Sequence, residues 1–231
     1  MLSKRFDAAV SYARVVHAHD VRKVTQVPYV AHVLGVASLV LEHGGDEDQA
    51  IAALLHDTAE DHGGQARLDD VADRFGERVA AIVAACSDSL EPEGRPKAPW
   101  WPRKVAYLVA VEHEPEDALV VTAADKVHNV RALVGDHRRH GTSLWTRFNP
   151  DAGRAGQLWY HRRLHGALAR RTPQGADHRP LVDELGRAVE ALFAQAAGEA
   201  GGPAAVERDW LEGLERERVL LAEPGLDVRA G

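Results

Sequence analysis

Four ionisable side chains fall within six residues in the run His56-Asp57-Thr58-Ala59-Glu60-Asp61. An adjacent imidazole and carboxylate offer one nitrogen and one oxygen donor, a mixture suited to a divalent transition metal. The spacing predicts a helix through this run, on which residues four apart share a face. His56 then lies over Glu60, and Asp57 over Asp61. Acids one turn beyond a metal can position or deprotonate a water. Taken alone, the run reads equally as the acidic end of a surface helix, so further donors have to come from elsewhere.

Two other segments offer them. His32 sits one residue off the apolar row of a helix that runs from Pro28 to the stop at Gly44-Gly45. Asp125 follows six mostly apolar positions, where an unpaired carboxylate is costly to bury, so it either caps something or binds a cation. His128 and Asn129 stand at i+3 and i+4 on the same face. His32, His56, Asp57 and Asp125 together make two imidazoles and two carboxylates, an octahedral set once waters complete it.

The elements that must position these residues are helices. Alternating strand patterns are nearly absent, and the chain reads as all-α. Helical spacing predicts elements near 3–19, 28–43, 46–61, 69–75, 77–87, 100–113, 118–134, 155–171, 181–197 and 204–222. Asp46 and Gln49 fit a capping box at the start of the third. Residues 90–99 hold three prolines and are expected as a loop, and 136–154 as a basic, glycine-containing one. The expected organisation is a domain over 1–197, with the metal site within 20–135 and accessory helices in 136–197. A linker, an amphipathic helix and a tail follow in 198–231. That last helix has a face that a second copy of the chain could cover, making a homo-oligomer.

At 231 residues with a net charge of -7, the chain is large enough for one sizeable core and lacks the basic balance of a nucleic-acid-binding protein. The single Cys86 excludes an intramolecular disulfide, and its apolar setting predicts a buried, inert thiol. No apolar run reaches 18 residues, so no membrane span is expected. No secretion signal is visible at the start, and a cytoplasmic location is the expectation.

The order H…HD…D resembles the signature of HD-domain metal-dependent phosphohydrolases. The flanking words are narrower. Arg22-Lys23, the run from Pro28 to His32, Ala52 to Asp61, Phe75 to Val79 and Ala124 to Leu133 are similar to the hydrolase domain of the RelA/SpoT stringent-response enzymes. The resemblance covers roughly residues 1–135, and the chain has no room for the synthetase and regulatory domains of the long members. It implies an HD-domain helical bundle with a C-terminal helical extension. It also implies a small alarmone hydrolase that removes the 3′-pyrophosphate of guanosine 3′,5′-bis(diphosphate), giving GDP and pyrophosphate.

By that resemblance His32, His56, Asp57 and Asp125 hold one metal, expected to be manganese, with iron, cobalt or zinc open. Glu60 and Asp61 match the pair that activates water. Arg22, Lys23 and Asn129 match nucleoside contacts, and Lys126 takes a basic place after the metal aspartate. Among His161, Arg162 and Arg163, Arg162 is the expected phosphate contact, since arginine forks match phosphate oxygens. His62 stands where threonine is usual, and Ala132 where threonine is frequent near the nucleoside. Guanine specificity is therefore less secure than hydrolysis. Two alternatives remain: a phosphatase on another nucleotide (adenosine alarmones or the 2′-phosphate of NADPH included), and a non-catalytic nucleotide sensor. The intact acids Glu60 and Asp61 speak against the sensor.

Overall fold

A computed structural model describes residues 1–22, 25–92, 94–223 and 226. Its elements in order are α1 (Lys4–Val16), α2 (Val30–Glu42), α3 (Glu47–Leu55), α4 (Thr58–Asp61), α5 (Gly64–Phe75) and α6 (Glu77–Cys86), then α7 (Trp100–Val111), α8 (Glu116–His140), a 3-10 helix (Gly141–Arg147), α9 (Gly153–Arg171), α10 (Arg179–Ala197) and α11 (Gly202–Ala222). The fold is all-α. Among the described residues the β-type pairing is an isolated bridge between Val21 and Pro28.

Local signals explain most boundaries. The Ser3 hydroxyl accepts the Arg5 amide and starts α1. Asp46 and Gln49 form the expected capping box, each side chain accepting the other's backbone N–H at 3.0 and 2.9 Å. Pro99 and Pro115 precede α7 and α8, while Pro180 and Pro203 lie in the first turns of α10 and α11, where a missing N–H costs nothing.

Several boundaries differ from the sequence reading, and the helix expected over 69–75 already starts at Gly64. The helix expected through Asp61 breaks after Leu55, because the Thr58 hydroxyl donates to the Leu55 carbonyl at 2.7 Å and Asp57 leaves regular helical geometry at φ −97°, ψ −5°. The break lies at the His-Asp pair itself. The helix expected over 118–134 runs on to His140, so Gly135 does not stop it. Its last turn carries His137, Arg138, Arg139 and His140, charges suited to a helix C-terminus, before Gly141 turns the chain at φ +57°. The remainder of the expected loop includes the 3-10 helix.

The long helix α8 is the axis of the molecule. It packs against α2, α3 and α6 on one side and α9 and α10 on the other. It buries Leu119, Val121, Ala123, Val127 and Val130 in one cluster with Val36, Val40, Ile51, Leu54 and Val83. Burial of such side chains contributes about 1.5–3 kcal/mol each, which holds a helix whose mixed sequence would not stand alone. Cys86 is buried as expected. Helix α11 packs on α7, α9 and α10 of its own chain, although Leu211, Val219 and Leu221 on it stay exposed. No helix among the described residues is long and apolar enough to cross a membrane.

Candidate metal centre and its cavity

Two helices and one helix break bring the candidate donors together. His32 comes from the first turn of α2, His56 and Asp57 from the α3–α4 break, and Asp125 from mid-α8. Donor atoms of His32, His56 and Asp57 lie within 4.8 Å of one another. Asp125 Oδ1 joins them from the other side, 3.2 Å from His32 Nε2 and 3.5 Å from His56 Nε2. Asp57 Oδ2 is 3.6 and 2.9 Å from the same two nitrogens.

These separations are within ion-pair range, yet neither Nε2 makes a hydrogen bond, although both are fully buried. The atoms face a common point instead of one another. Two buried ring nitrogens without partners, flanked by two carboxylates, fit a divalent cation of the nitrogen- and oxygen-preferring kind.

The rear of each ring is fixed. His56 Nδ1 lies 2.8 Å from the Ala53 carbonyl, which only accepts, so Nδ1 carries a proton and Nε2 is the nitrogen turned toward the carboxylates. His32 Nδ1 meets His128 Nδ1 at 2.9 Å. His128 fits there because α2 carries Gly35, where an added Cβ would fall 2.5 Å from the His128 ring. The carboxylates are held in turn. Tyr29 donates to Asp57 Oδ2 at 2.5 Å, Asn129 to Asp125 Oδ1 at 2.5 Å, and Lys126 to Asp125 Oδ2 at 2.6 Å.

Charge follows from this packing. Burial pushes the Asp57 and Asp125 carboxyls up, but positive charge overcomes it, from His56 beside Asp57 and from Lys126 beside Asp125. Both stay well below the usual carboxylate range. Burial disfavours charge on His56, yet Asp57 and Asp125 raise its pKa well above the ordinary value. The group thus favours a cation between its rings, and a metal would release the proton held there.

The centre opens into a cavity of about 810 Å³. Arg22, Glu60, Asp61, Lys126, Asn129 and Ala132 line it, so most of the expected contacts share one space. Glu60 accepts from Lys97 Nζ at 3.0 Å and from the Asp88 amide at 3.2 Å. Burial and the charge of Asp88 raise its pKa to about 7, against the pull of Lys104 and Lys97. Asp61 is exposed, 3.5 Å from Lys97 Nζ. Arg22 donates to Asn129 Oδ1 at 2.9 Å, and Asn129 in turn bonds Asp125, so the pair is tied to the metal aspartate candidate. Lys23 lies outside the described residues.

Arg162 is a correction. Its guanidinium lies 3.9 Å over the Phe193 ring and pairs with Glu190 at 3.0 Å, on the far side of α9. Arg163 is taken by Glu217 at 2.7 Å. One position earlier, a rotation of about 100° on the helix, His161 faces the cavity instead. Sequence reasoning also missed Tyr29, Lys97, Asp88 and Lys104. Arg103 and Lys104 both pair with the buried Asp88, the latter at 2.6 Å. The basic Arg103-Lys104 pair in an otherwise apolar helix was the available signal. His128, on the same face as Asp125 in the sequence, stands behind His32 and not at the donor face.

Comparison with known proteins agrees with this geometry. A model of the HD domain matches residues 9–157. The guanosine-3′,5′-bis(diphosphate) 3′-pyrophosphohydrolase MESH1 of Xenopus tropicalis is 34% identical over 128 residues, 54% of this chain and 67% of the relative. A protein of Aquifex aeolicus named for the same activity is 31% identical over 131 residues, 57% of this chain but 18% of its own length. The chain therefore spans less than a fifth of that long relative. Among solved structures, a metazoan ortholog of SpoT aligns with TM-score 0.63 at 24% identity, covering 82% of this chain and 96% of that one, a likeness of fold. The protein lmo0812 of Listeria monocytogenes aligns with TM-score 0.59 at 26% identity, over 70% and 98%. The chain belongs to the HD-domain family.

Proposed function

We propose that this protein is a metal-dependent phosphohydrolase acting on guanosine 3′,5′-bis(diphosphate). Water adds to the 3′-phosphorus, the bond from that phosphorus to the ribose 3′-oxygen breaks, and GDP and pyrophosphate leave. The observation that carries the reading is the pair of unpartnered nitrogens, His32 Nε2 and His56 Nε2, set against Asp57 and Asp125 at a cavity lined by Arg22 and Asn129. The relatives named for this activity support it.

His32, His56, Asp57 and Asp125 would hold the ion, and a donor set half carboxylate favours manganese among the candidates. When bound, the ion supplies Lewis acidity and neutralises phosphoryl charge. Glu60 takes the proton of the attacking water. A base with a pKa near neutrality is matched to that task. Lys97 holds the Glu60 carboxylate in place, and Asp61 beside it orients the same water. Arg22 and Asn129, already bonded to each other, present N–H groups to the nucleoside. Lys126 neutralises a phosphoryl oxygen next to Asp125. We assign residues 1–197 to the hydrolase unit. The remainder adds α11, which closes over α7 and α9. A nucleotide substrate supports a cytoplasmic location.

The test is product identification after incubating the manganese-loaded protein with guanosine and adenosine bis(diphosphates). Release of GDP and pyrophosphate, without single phosphates, is the expected result. Ala132 in the cavity wall leaves room for either base, so the adenosine compound is turned over as well. Intact substrates alongside hydrolysis of a simple nucleotide monoester would instead establish a phosphatase.

A further inference from the structure

The two ends of the cavity differ in chemistry. Its mouth is made by exposed residues such as His19, Asp61 and Asn149, while its deep wall comes from α7 and α9. Three polar atoms on that wall have no partner: Tyr107 Oη, Tyr160 Oη and His161 Nδ1. Their residues are 4%, 5% and 5% exposed. Folded proteins rarely leave one such atom unsatisfied, and three along one cavity wall call for a shared ligand.

The charge around them selects its kind. Lys104 Nζ lies 4.8 Å from the centre of the Tyr160 ring and 5.9 Å from that of Tyr107, and Lys126 Nζ lies 5.3 Å from the latter. An ammonium has three donors. The hydrogen bonds of these two are one each, Lys104 to Asp88 and Lys126 to Asp125, both 2.6 Å. Two hydroxyls, one imidazole and two ammoniums are rich in donors, and the group that accepts from all of them is an anion with several oxygens. Phosphoryl fits that description.

Position then specifies which phosphoryl. Lys126 bonds Asp125 Oδ2, while Oδ1 of the same carboxylate faces His32 and His56. A group held by Lys126 therefore lies directly beside the metal centre. Asn129 bonds the opposite oxygen of that carboxylate, Oδ1, and holds Arg22 on that side. We infer that Tyr107, Tyr160, His161, Lys104 and Lys126 form a subsite for the distal phosphoryl of a diphosphate whose proximal phosphoryl is the one attacked. The subsite rests on the phosphohydrolase reading and adds to it the preference for a pyrophosphoryl over a single phosphoryl substituent. It also uses a helix, α9, that lies beyond the segment carrying the metal donors.

The experiment is calorimetric titration of the full-length, manganese-loaded protein with inorganic pyrophosphate and, separately, orthophosphate. Wild type is expected to bind pyrophosphate at least 10-fold more tightly. Hydrogen bonds to charged groups of this kind are worth roughly 10- to 100-fold each, so Tyr107→Phe and Tyr160→Phe should each weaken pyrophosphate by about that factor. Orthophosphate affinity and manganese content should stay the same. His161→Asn, which can still donate, should lose less than His161→Leu. Thermal unfolding of each variant identifies any that fail to fold. Equal affinity of wild type for the two anions overturns the subsite, as does an equal loss of both in the tyrosine variants. A protein that binds pyrophosphate through these residues but leaves the bis(diphosphate) intact overturns the functional reading and leaves the subsite standing.

Discussion

Two groups in this molecule have the same composition and opposite character. His32, His56 and Asp57 form one, with Asp125 beside them. His17, Asp20 and His62 form the other, and its donor atoms also lie within 4.8 Å of one another. In the second group Asp20 Oδ2 takes a hydrogen bond from each imidazole, at 2.8 Å from His17 Nδ1 and 2.6 Å from His62 Nε2. In the first, the rear nitrogens are occupied and the front ones are free. Distance alone does not separate the two. What separates them is whether the carboxylate is already bonded: the ring nitrogens facing Asp57 and Asp125 make no hydrogen bond in the first group, whereas both imidazoles bond Asp20 in the second. The first is prepared for a cation, while the second ties the end of α1 to the segment after α4.

The contrast is broken most directly by removing one ring from each group. His56→Ala or Asp125→Ala should abolish manganese binding by elemental analysis and turnover with it, whereas His62→Ala should keep full metal content. If His62→Ala loses metal as completely, the distinction between the groups is wrong. The next largest effect concerns Glu60, which belongs to neither group. Glu60→Gln keeps the shape and removes the base, so kcat should fall about 10²–10⁴-fold with the metal retained. An unchanged rate in steady-state kinetics would place the base elsewhere. Arg22→Ala should act on KM, raising it roughly 10-fold with kcat nearly constant, because the nucleoside contact proposed for it would be made equally before and during reaction.

The smallest effect sharpens the second group. Burial depresses the His17 pKa against the pull of Asp20, and the hydrogen bonds from His17 and His62 depress that of Asp20 against its own partial burial. Both folded values lie below the unfolded ones, so the unfolded chain binds more protons as pH falls and stability is lost in that direction. The His17 part is complete above about pH 6.5 and the Asp20 part above about pH 3.9, each fading below. Asp20→Asn should cost about 1 kcal/mol at neutral pH and flatten the lower step in urea unfolding series between pH 8 and 3. A variant with an unaltered acid limb would show that this triad contributes no linkage.

Much of the fold was legible because periodicity needs no partner to be read. The helix that became α10 shows its apolar face in Leu181, Leu185, Val189 and Leu192, all buried. The candidate donors were legible as well, since an adjacent His-Asp pair and a lone aspartate in an apolar run stand out by type. What stayed hidden depends on rotation and depth. Whether His161 or Arg162 faces the cavity is decided by how α9 lies on α7 and α10, which no single stretch encodes. The apposition of His128 and His32 joins residues 96 positions apart. The length of α8 escaped because Gly135 weakens a helix in isolation and is overruled by packing. The break at Asp57 turned on one threonine hydroxyl, a local competition too fine for periodicity.

Gly35 carries a consequence for anyone who would engineer or mutate this chain. A glycine inside a helix invites replacement by alanine, a change that ordinarily strengthens the helix by up to about 1 kcal/mol. Here the new methyl would arrive 2.5 Å from the His128 ring and push it into the back of His32. The substitution that makes α2 a better helix would unseat the imidazole it carries. Sturdiness and metal-site geometry therefore meet at a residue with no side chain, and a search for hardier variants would select against the candidate metal centre there without touching any of its donors.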